Sequence, residues 1–299
     1  MKFLEFLKLI RAVHWIKNLF IFVPLVFSGH LFQKDYFSLS LIAFFSFSFL
    51  TSVVYVINDI FDVENDRKHP KKKFRPIAAG LISKQTALIV ALLMLIAASS
   101  LAGTLNFRFI FVSIVYLILN VAYTFYFKNV VLLDIFSIAG GFVLRVAAGN
   151  VVISVEPSSW LILISLFISL FLAVMKRMSE LEVVASTGSH GTRKVLQNYS
   201  ARFIDQISAV CATGVIICYT LYSVSERTVE ILQTENLVYT TPFVVFGIFR
   251  YMYLVYHKHQ GENTIEILLT DLPTIVNSTL YLLMTIVVVY NIFYVNNIW

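Results

Sequence analysis

Charge is scarce in this 299-residue sequence. Asp, Glu, Lys and Arg together make 13% of it, about half the share of a soluble domain. With 59% hydrophobic residues and a mean hydropathy of +0.81, too little polar surface is left to enclose one water-soluble core. The class is therefore integral membrane. Cysteine is nearly missing too. Cys211 and Cys218 stand seven positions apart in one apolar run. That is about 10 Å along a helix, too far for a disulfide, so both are expected to be small core hydrophobes. No His or Cys pair has zinc-ligand spacing, and no low-complexity tract or soluble domain breaks the pattern. No small-residue cleavage site is clear after the apolar run Leu19–Phe27, and the basic, amphipathic segment Met1–Lys17 before it reads as an interfacial helix leading into the first span.

What the sequence has instead is nine apolar runs of roughly the 20 residues a bilayer-spanning helix needs. They lie near 15–33, 37–57, 85–105, 108–127, 131–153, 159–176, 204–224, 238–256 and 272–295. Pro24 interrupts the first and Arg250 sits in the eighth. The net charge of +6 is explained by its placement rather than by nucleic acid. Of 23 Lys and Arg, Arg145 and Arg250 lie inside apolar runs, and only Lys34, Arg108 and Arg227 fall in alternate gaps; the other eighteen lie on the opposite side. The positive-inside rule then puts the N-terminus and the charged loops in the cytoplasm, and the C-terminus outside. The fold expected is all-α: one polytopic membrane domain over residues 1–299, with nine transmembrane helices. The composition leaves a homo-oligomer open.

The second run ends in Asn58-Asp59-Ile60-Phe61-Asp62-Val63-Glu64-Asn65-Asp66. Asn58, Asp62 and Asp66 recur at i, i+4, i+8 and share one helical face, with Asp59 beside them. Carboxylates stacked in this way repel one another, and at a membrane boundary they are costly unless paired or metal-bound. A hard divalent cation such as Mg²⁺ relieves both costs, because it takes carboxylate oxygens together with substrate phosphate oxygens. Arg67, Lys68, Lys71, Lys72, Lys73 and Arg75 follow at once. An acidic face joined to a basic loop suits a metal-chelated pyrophosphate; the plainer alternative is a solvated, self-paired loop that only sets topology.

These residues resemble the first signature of the UbiA superfamily of intramembrane prenyltransferases: N-D-x-x-D-x-x-x-D at Asn58–Asp66, then Arg75-Pro76-Ile77-Ala78-Ala79-Gly80. Tyr123–Lys128, Asp134 and Arg145 fit the same family. Trp15-Ile16-Lys17-Asn18, Asp66-Arg67-Lys68-His69-Pro70, Lys176-Arg177-Met178-Ser179-Glu180-Leu181, Phe249-Arg250-Tyr251, Gly261-Glu262-Asn263 and Asp271-Leu272-Pro273 look like its polyprenyl-phosphate (decaprenyl-phosphate) phosphoribosyltransferase branch. The resemblance implies a UbiA-like bundle in the cell membrane with a cytoplasm-facing active-site cavity. It implies a Mg²⁺-dependent transfer of 5-phosphoribosyl from phosphoribosyl pyrophosphate to a polyprenyl phosphate, for a lipid-linked pentose of the cell envelope. Asp59, Asp62 and Asp66 would be catalytic, with Asn58, Asp62 and Asp66 as metal ligands. Lys17, Asn18, Lys73, Arg75, Tyr126, Lys128, Arg145, Lys176, Arg177 and Glu180 would contact substrate.

Aromatic-prenylating relatives usually carry a second D-x-x-x-D where this chain has Lys176, Arg177, Glu180 and Glu182. A donor with phosphate at both ends of a sugar needs a cationic site besides the metal site, and Lys176 or Arg177 is expected to read its 5-phosphate. Adjacent helical positions diverge by about 100°, so only one of the two should point inward. Arg145, inside a span, is expected to meet a substrate phosphate or to pair with Asp134. Gly140-Gly141 and Gly149 are expected to let helices approach closely. Two other readings stay open. One is a prenyltransferase with a prenyl pyrophosphate donor and an aromatic acceptor. The other is a transporter, although the acidic face lies at a span end rather than the midplane where transporter sites sit.

Overall fold

The computed structural model describes residues 3–68, 72–187, 194–258, 267 and 269–290, and among these all regular structure is helical. His69, Gly261-Glu262-Asn263 and the C-terminal Asn296–Trp299 lie outside the described residues. Eight helices are long and apolar enough to cross a membrane, and there are nine spans if the bent N-terminal pair Phe3–Leu9 and Ala12–Phe27, at 52°, counts as one. The chain is thus a polytopic α-helical membrane protein. Its packing divides it into two compact units. One is Met1–Leu25, Gln33–Phe127 and Leu144–Glu156; the other is Val26–Phe32, Lys128–Val143 and Pro157–Trp299.

The first unit holds α1 (Phe3–Leu9), a 3-10 stretch (Ala12–Phe22), the long α3 (Lys34–Phe61) and α4 (Val63–Lys68), with α5 (Lys84–Gly103) and α6 (Phe107–Phe125) packed against α3; α2 (Val23–Phe27) begins at its edge. Helix starts follow the side chains that can accept from an exposed backbone N–H: Ser83 bonds Thr86 N and Asn106 bonds Phe109 N, as N-caps do. Leu88, Ile89, Leu92, Leu93 and Ile96 of α5 are exposed, whereas Ala87, Ala91 and Ala98 are buried. Lipid offers leucine no reason to hide, so small residues mark the helix contact. There Ser46 Oγ donates to the Ala98 carbonyl at 2.9 Å.

The expected first span, an α-helix over 15–33, is instead eleven residues of 3-10 helix followed by the five-residue α2. Three residues per turn eclipse positions i and i+3. Trp15 and Asn18 therefore face α3 together: Trp15 Nε1 donates to Ser52 Oγ at 3.0 Å, and Asn18 Nδ2 to Ser48 Oγ at 2.9 Å. Pro24 is tolerated because it falls in the first turn of α2, where its missing N–H is not needed. The 3-10 stretch also lies against α7 (Leu133–Val152), where a Cβ added to Gly149 would overlap the Ile21 carbonyl oxygen. Gly149→Ala is therefore expected to push these backbones apart and destabilise the protein by about 1–3 kcal/mol, seen as a lower melting temperature in detergent. An unchanged melting temperature would mean that the approach is looser than described.

The second unit holds α8 (Ser159–Thr187) packed along α9 (Ala201–Val224), then α10 (Glu226–Leu232), α11 (Thr241–Lys258) and α12 (Leu272–Val289). Cys211 and Cys218 are buried free thiols in α9, as expected. Asp271 is the N-cap of α12. Its Oδ2 accepts from Thr274 N at 3.0 Å, and Arg250 binds both of its oxygens, at 3.1 and 2.7 Å. The Arg250 hydrogen bonds, then those from Thr274, hold the Asp271 carboxyl down to about 2. A carboxyl depressed in the folded state stabilises above its unfolded value and loses that contribution as the pH falls through the folded one. The melting difference between wild type and Asp271→Asn should therefore be present at pH 6 and shrink between about pH 4 and 2. A difference that is constant over this range would show that the pair contributes nothing through its charge.

Candidate active site

α3 ends at Phe61 and α4 resumes at Val63, yet the break does not disturb the register: Asp62 N bonds Asn58 O and Asp66 N bonds Asp62 O, at 2.9 and 2.8 Å. Asn58, Asp62 and Asp66 keep their common face. The two neighbouring carboxylates, Asp59 and Asp66, are each 3% exposed. Arg75 bridges them, its Nη1 at 3.0 Å from Asp59 Oδ1 and 2.6 Å from Asp66 Oδ2. Arg11 reaches the same Asp59 oxygen at 2.5 Å and lies over the Tyr55 ring, 4.7 Å from its centroid. Arg11 itself adopts the left-handed conformation, φ 51°, uncommon outside glycine, at the bend between α1 and the 3-10 stretch.

Asp59, beside the three residues expected to hold a metal, is the shared acceptor of two guanidinium groups. Among the described residues no three His, Cys, Asp or Glu side chains group as a metal site; the expected set, Asn58, Asp62 and Asp66, holds two carboxylates, one of them paired with Arg75. The donor set still fits a hard cation. Asp62 is half-exposed, with no side-chain partner among the described residues, and Asn58 offers a carboxamide oxygen that accepts from Thr124 Oγ1 at 3.0 Å. Two carboxylates and an amide oxygen suit Mg²⁺, which leaves its other positions to water and substrate phosphates.

Deeper in the same unit, Arg145 is 5% exposed. Its Nε donates to Asn18 Oδ1 at 2.7 Å and its Nη2 to Tyr116 OH at 3.0 Å. It does not pair with Asp134. Tyr116, Asn120 and Thr124 recur at i, i+4, i+8 on α6, the same spacing as the aspartate face, and they link Arg145 at one end to Asn58 at the other. Sequence reading missed these three and Arg11, although that spacing was the available signal. Of the other expected contacts, Lys73 is exposed near the ring of Phe74, and Tyr126 is 72% exposed at the C-cap of α6, away from this polar face.

Lys128, Lys176, Arg177 and Glu180 belong to the second unit. Lys176 is half-buried there and Lys128 likewise. Of the adjacent pair, Arg177 turns inward, as expected for one of them. What it meets is protein: Nε lies 2.8 Å from Asp134 Oδ2, and Nη1 lies 2.5 Å from Glu180 Oε2. Arg177 is 1% exposed and Asp134 is fully buried. Tyr199 donates to the other Asp134 oxygen at 2.7 Å and accepts from Leu132 N. Burial, and then that bond to Asp134, push the Tyr199 phenol above its usual range. Asp134 and Arg177 thus neutralise each other, which corrects the expectation of an open 5-phosphate reader at Arg177.

A membrane bundle with an aspartate face ending one span and arginines closing on it is the architecture of an intramembrane transferase. Residues 19–269 match the model of the UbiA prenyltransferase family, and the chain belongs to that family. It is 35% identical over 232 residues to a decaprenyl-phosphate phosphoribosyltransferase of Mycolicibacterium smegmatis, covering 76% of this chain and 73% of that protein. It is 36% identical over 220 residues to the protein of the same name from Mycobacterium tuberculosis, covering 72% of each. Among solved structures, a UbiA homolog from Archaeoglobus fulgidus bound to GPP and Mg²⁺ has the same fold, with a TM-score of 0.68 over 96% of this chain and 100% of that one at 17% identity.

Proposed function

We propose that this protein transfers the 5-phosphoribosyl group of phosphoribosyl pyrophosphate to a polyprenyl phosphate in the cell membrane and releases pyrophosphate. The observation that carries the reading is the polar face of the first unit, from Asn58 down to Arg145, in a chain whose relatives along 72–76% of its length are named decaprenyl-phosphate phosphoribosyltransferases. A divalent cation, taken to be Mg²⁺, on Asn58, Asp62 and Asp66 would supply neutralising charge at the pyrophosphate. The chain's own contribution is to place cationic donors where negative charge grows. Arg75 is held over that face by Asp59 and Asp66, and Lys73 adds charge from the adjoining loop. The C1–O bond breaks with its electrons going to pyrophosphate, and an oxygen of the acceptor phosphate forms the new C1–O bond. Developing charge on the leaving group is met by preorganised donors, usually a large catalytic term. The acceptor is already an anion, so no general base is required.

The prenyl-transfer alternative shares the aspartates but needs an apolar donor channel, and the wall below Asn58 is Thr124, Asn120, Tyr116 and Arg145. The competing donors separate the two readings. Purified protein with Mg²⁺ and polyprenyl phosphate should release pyrophosphate from phosphoribosyl pyrophosphate, and not from geranyl pyrophosphate with an aromatic acid. The reverse preference would overturn the reading. The catalytic face is proposed to be cytoplasmic, with the N-terminus on the same side and the C-terminus outside. A reporter active only in the cytoplasm should be silent when fused after Trp299, whereas a strong signal there would contradict the orientation.

A further inference from the structure

We infer that Arg11 is a positioning residue for the transfer: by taking a share of the Asp59 carboxylate, it keeps the Arg75 guanidinium open to the pyrophosphate. The inference rests on the proposed role of Arg75 and deepens it. Arg11 stands 48 positions before Asp59, at a point where the backbone is forced. Its φ of 51° and ψ of 49° are left-handed. Outside glycine that conformation is costly, and it persists where the surroundings fix it. Here they fix it on both sides. Leu9 and Ile10, 0% and 2% exposed, pack with Val56, Val63, Ile77 and Ala87, and the Ile10 carbonyl accepts from Ser52 Oγ at 2.8 Å. After the bend, His14 N bonds the Arg11 carbonyl at 2.8 Å, and Trp15 returns to the same Ser52. The bend carries the Arg11 side chain over the Tyr55 ring to Asp59, one turn further along the same face of α3.

The charges explain what Arg11 does there. Arg11, Asp59, Arg75 and Asp66 form one chain of alternating sign, in which Asp59 Oδ1 accepts from both guanidinium groups. Two cations meet two carboxylates, and each carboxylate residue is 3% exposed, so neither is screened by water. Arg75 makes both of its bonds with Nη1. Among the described residues its Nε and Nη2 make none, and these two nitrogens are the half of the fork that suits phosphate oxygens. Without Arg11, the whole charge of Asp59 falls to Arg75. The guanidinium then turns to hold Asp59 with two nitrogens, the geometry that Arg–carboxylate pairs favour, and the half that faced the leaving group is taken up by protein. If Arg11 only anchored α1 to α3, its loss would destabilise the fold and leave the aim of Arg75 unchanged.

Magnesium pyrophosphate is the probe, because it is the leaving group of either donor class. Its binding to the full-length protein in detergent should weaken about tenfold in Arg11→Gln, the scale of one lost charged hydrogen bond. Arg11→Lys keeps a cation on Asp59 and should stay within about threefold of the wild type. In the transfer assay, Arg11→Gln should lower kcat and leave KM for the polyprenyl phosphate within about twofold, since the contact it disturbs is made to the leaving group. Asp59→Asn removes the carboxylate through which Arg11 acts. In that background Arg11→Gln should change pyrophosphate binding by less than about twofold, because residues that act as one unit are not additive. The double variant also leaves no unpaired charge at Asp59, which guards against misfolding. Three results would overturn the inference: wild-type affinity in Arg11→Gln, equal losses in Arg11→Lys and Arg11→Gln, or a loss in the double variant that multiplies the two single ones. A wild type that binds magnesium pyrophosphate and does not use phosphoribosyl pyrophosphate would instead sink the proposed function and leave the role of Arg11 to be read from the binding series.

Discussion

Asp62→Asn should reduce turnover by on the order of 10²- to 10³-fold or more while leaving the melting temperature in detergent unchanged. The size follows from removing one group that stabilises charge on the leaving pyrophosphate, a loss of the scale seen when a single preorganised electrostatic contact is deleted. The unchanged stability follows from the structure: Asp62 is half-exposed and bonds no other side chain among the described residues, so the fold loses nothing. Asp66→Asn should be as inactive for a second reason as well. It is buried, and its carboxylate holds Arg75; the amide would weaken that bond and free the guanidinium from its position. This variant should also melt lower. Titrating Mg²⁺ against donor binding distinguishes the two effects, because both variants should need more cation and only Asp66→Asn should lose stability. Near-normal turnover by both at saturating Mg²⁺ would remove the basis for placing a cation on this face.

The largest effect on stability is expected at Asp134→Ala. Arg177 would remain 1% exposed with its main counter-ion gone, and breaking a buried pair by deleting one partner costs about 3–5 kcal/mol. Glu180 lies 2.5 Å from Arg177 Nη1 with a side chain 21% exposed, so the loss should fall toward the lower end of that range. Tyr199 would lose its acceptor as well. The double variant Asp134→Ala, Arg177→Met should recover much of the loss, since a buried pair replaced by apolar groups is often nearly neutral. Thermal unfolding of the three proteins measures this directly. If the single variant melts with the wild type, Arg177 must be compensated from elsewhere and is available for other work.

The membrane class and most span positions were legible in the sequence because lipid imposes a length and a hydropathy on every crossing. α5, expected over 85–105, runs Lys84–Gly103; α6, expected over 108–127, runs Phe107–Phe125. Hydropathy is blind to helix type, so the 3-10 stretch at Ala12–Phe22 was not legible. It is set by Trp15 and Asn18 bonding to serines of α3, partners 37 and 30 positions away. The same limit applied at α8, which runs on to Thr187 past the expected end near residue 176, where Arg177 pairs with Glu180 of the same helix and with Asp134 of α7. The aspartate face was visible from spacing alone. Which of its carboxylates are committed was not, because Arg11 comes from 48 positions away and Arg75 from a loop whose lysines and arginines all look equally solvated.

The central claim is that a phosphoribosyl group moves onto a polyprenyl phosphate. Membranes containing the protein, incubated with donor labelled in the ribose and with polyprenyl phosphate and Mg²⁺, should yield label in the lipid extract. That label should require all three additions, and it should vanish with Asp62→Asn. Label that stays in the aqueous phase with active wild-type protein, or that enters lipid equally with the Asp62 variant, would contradict the account.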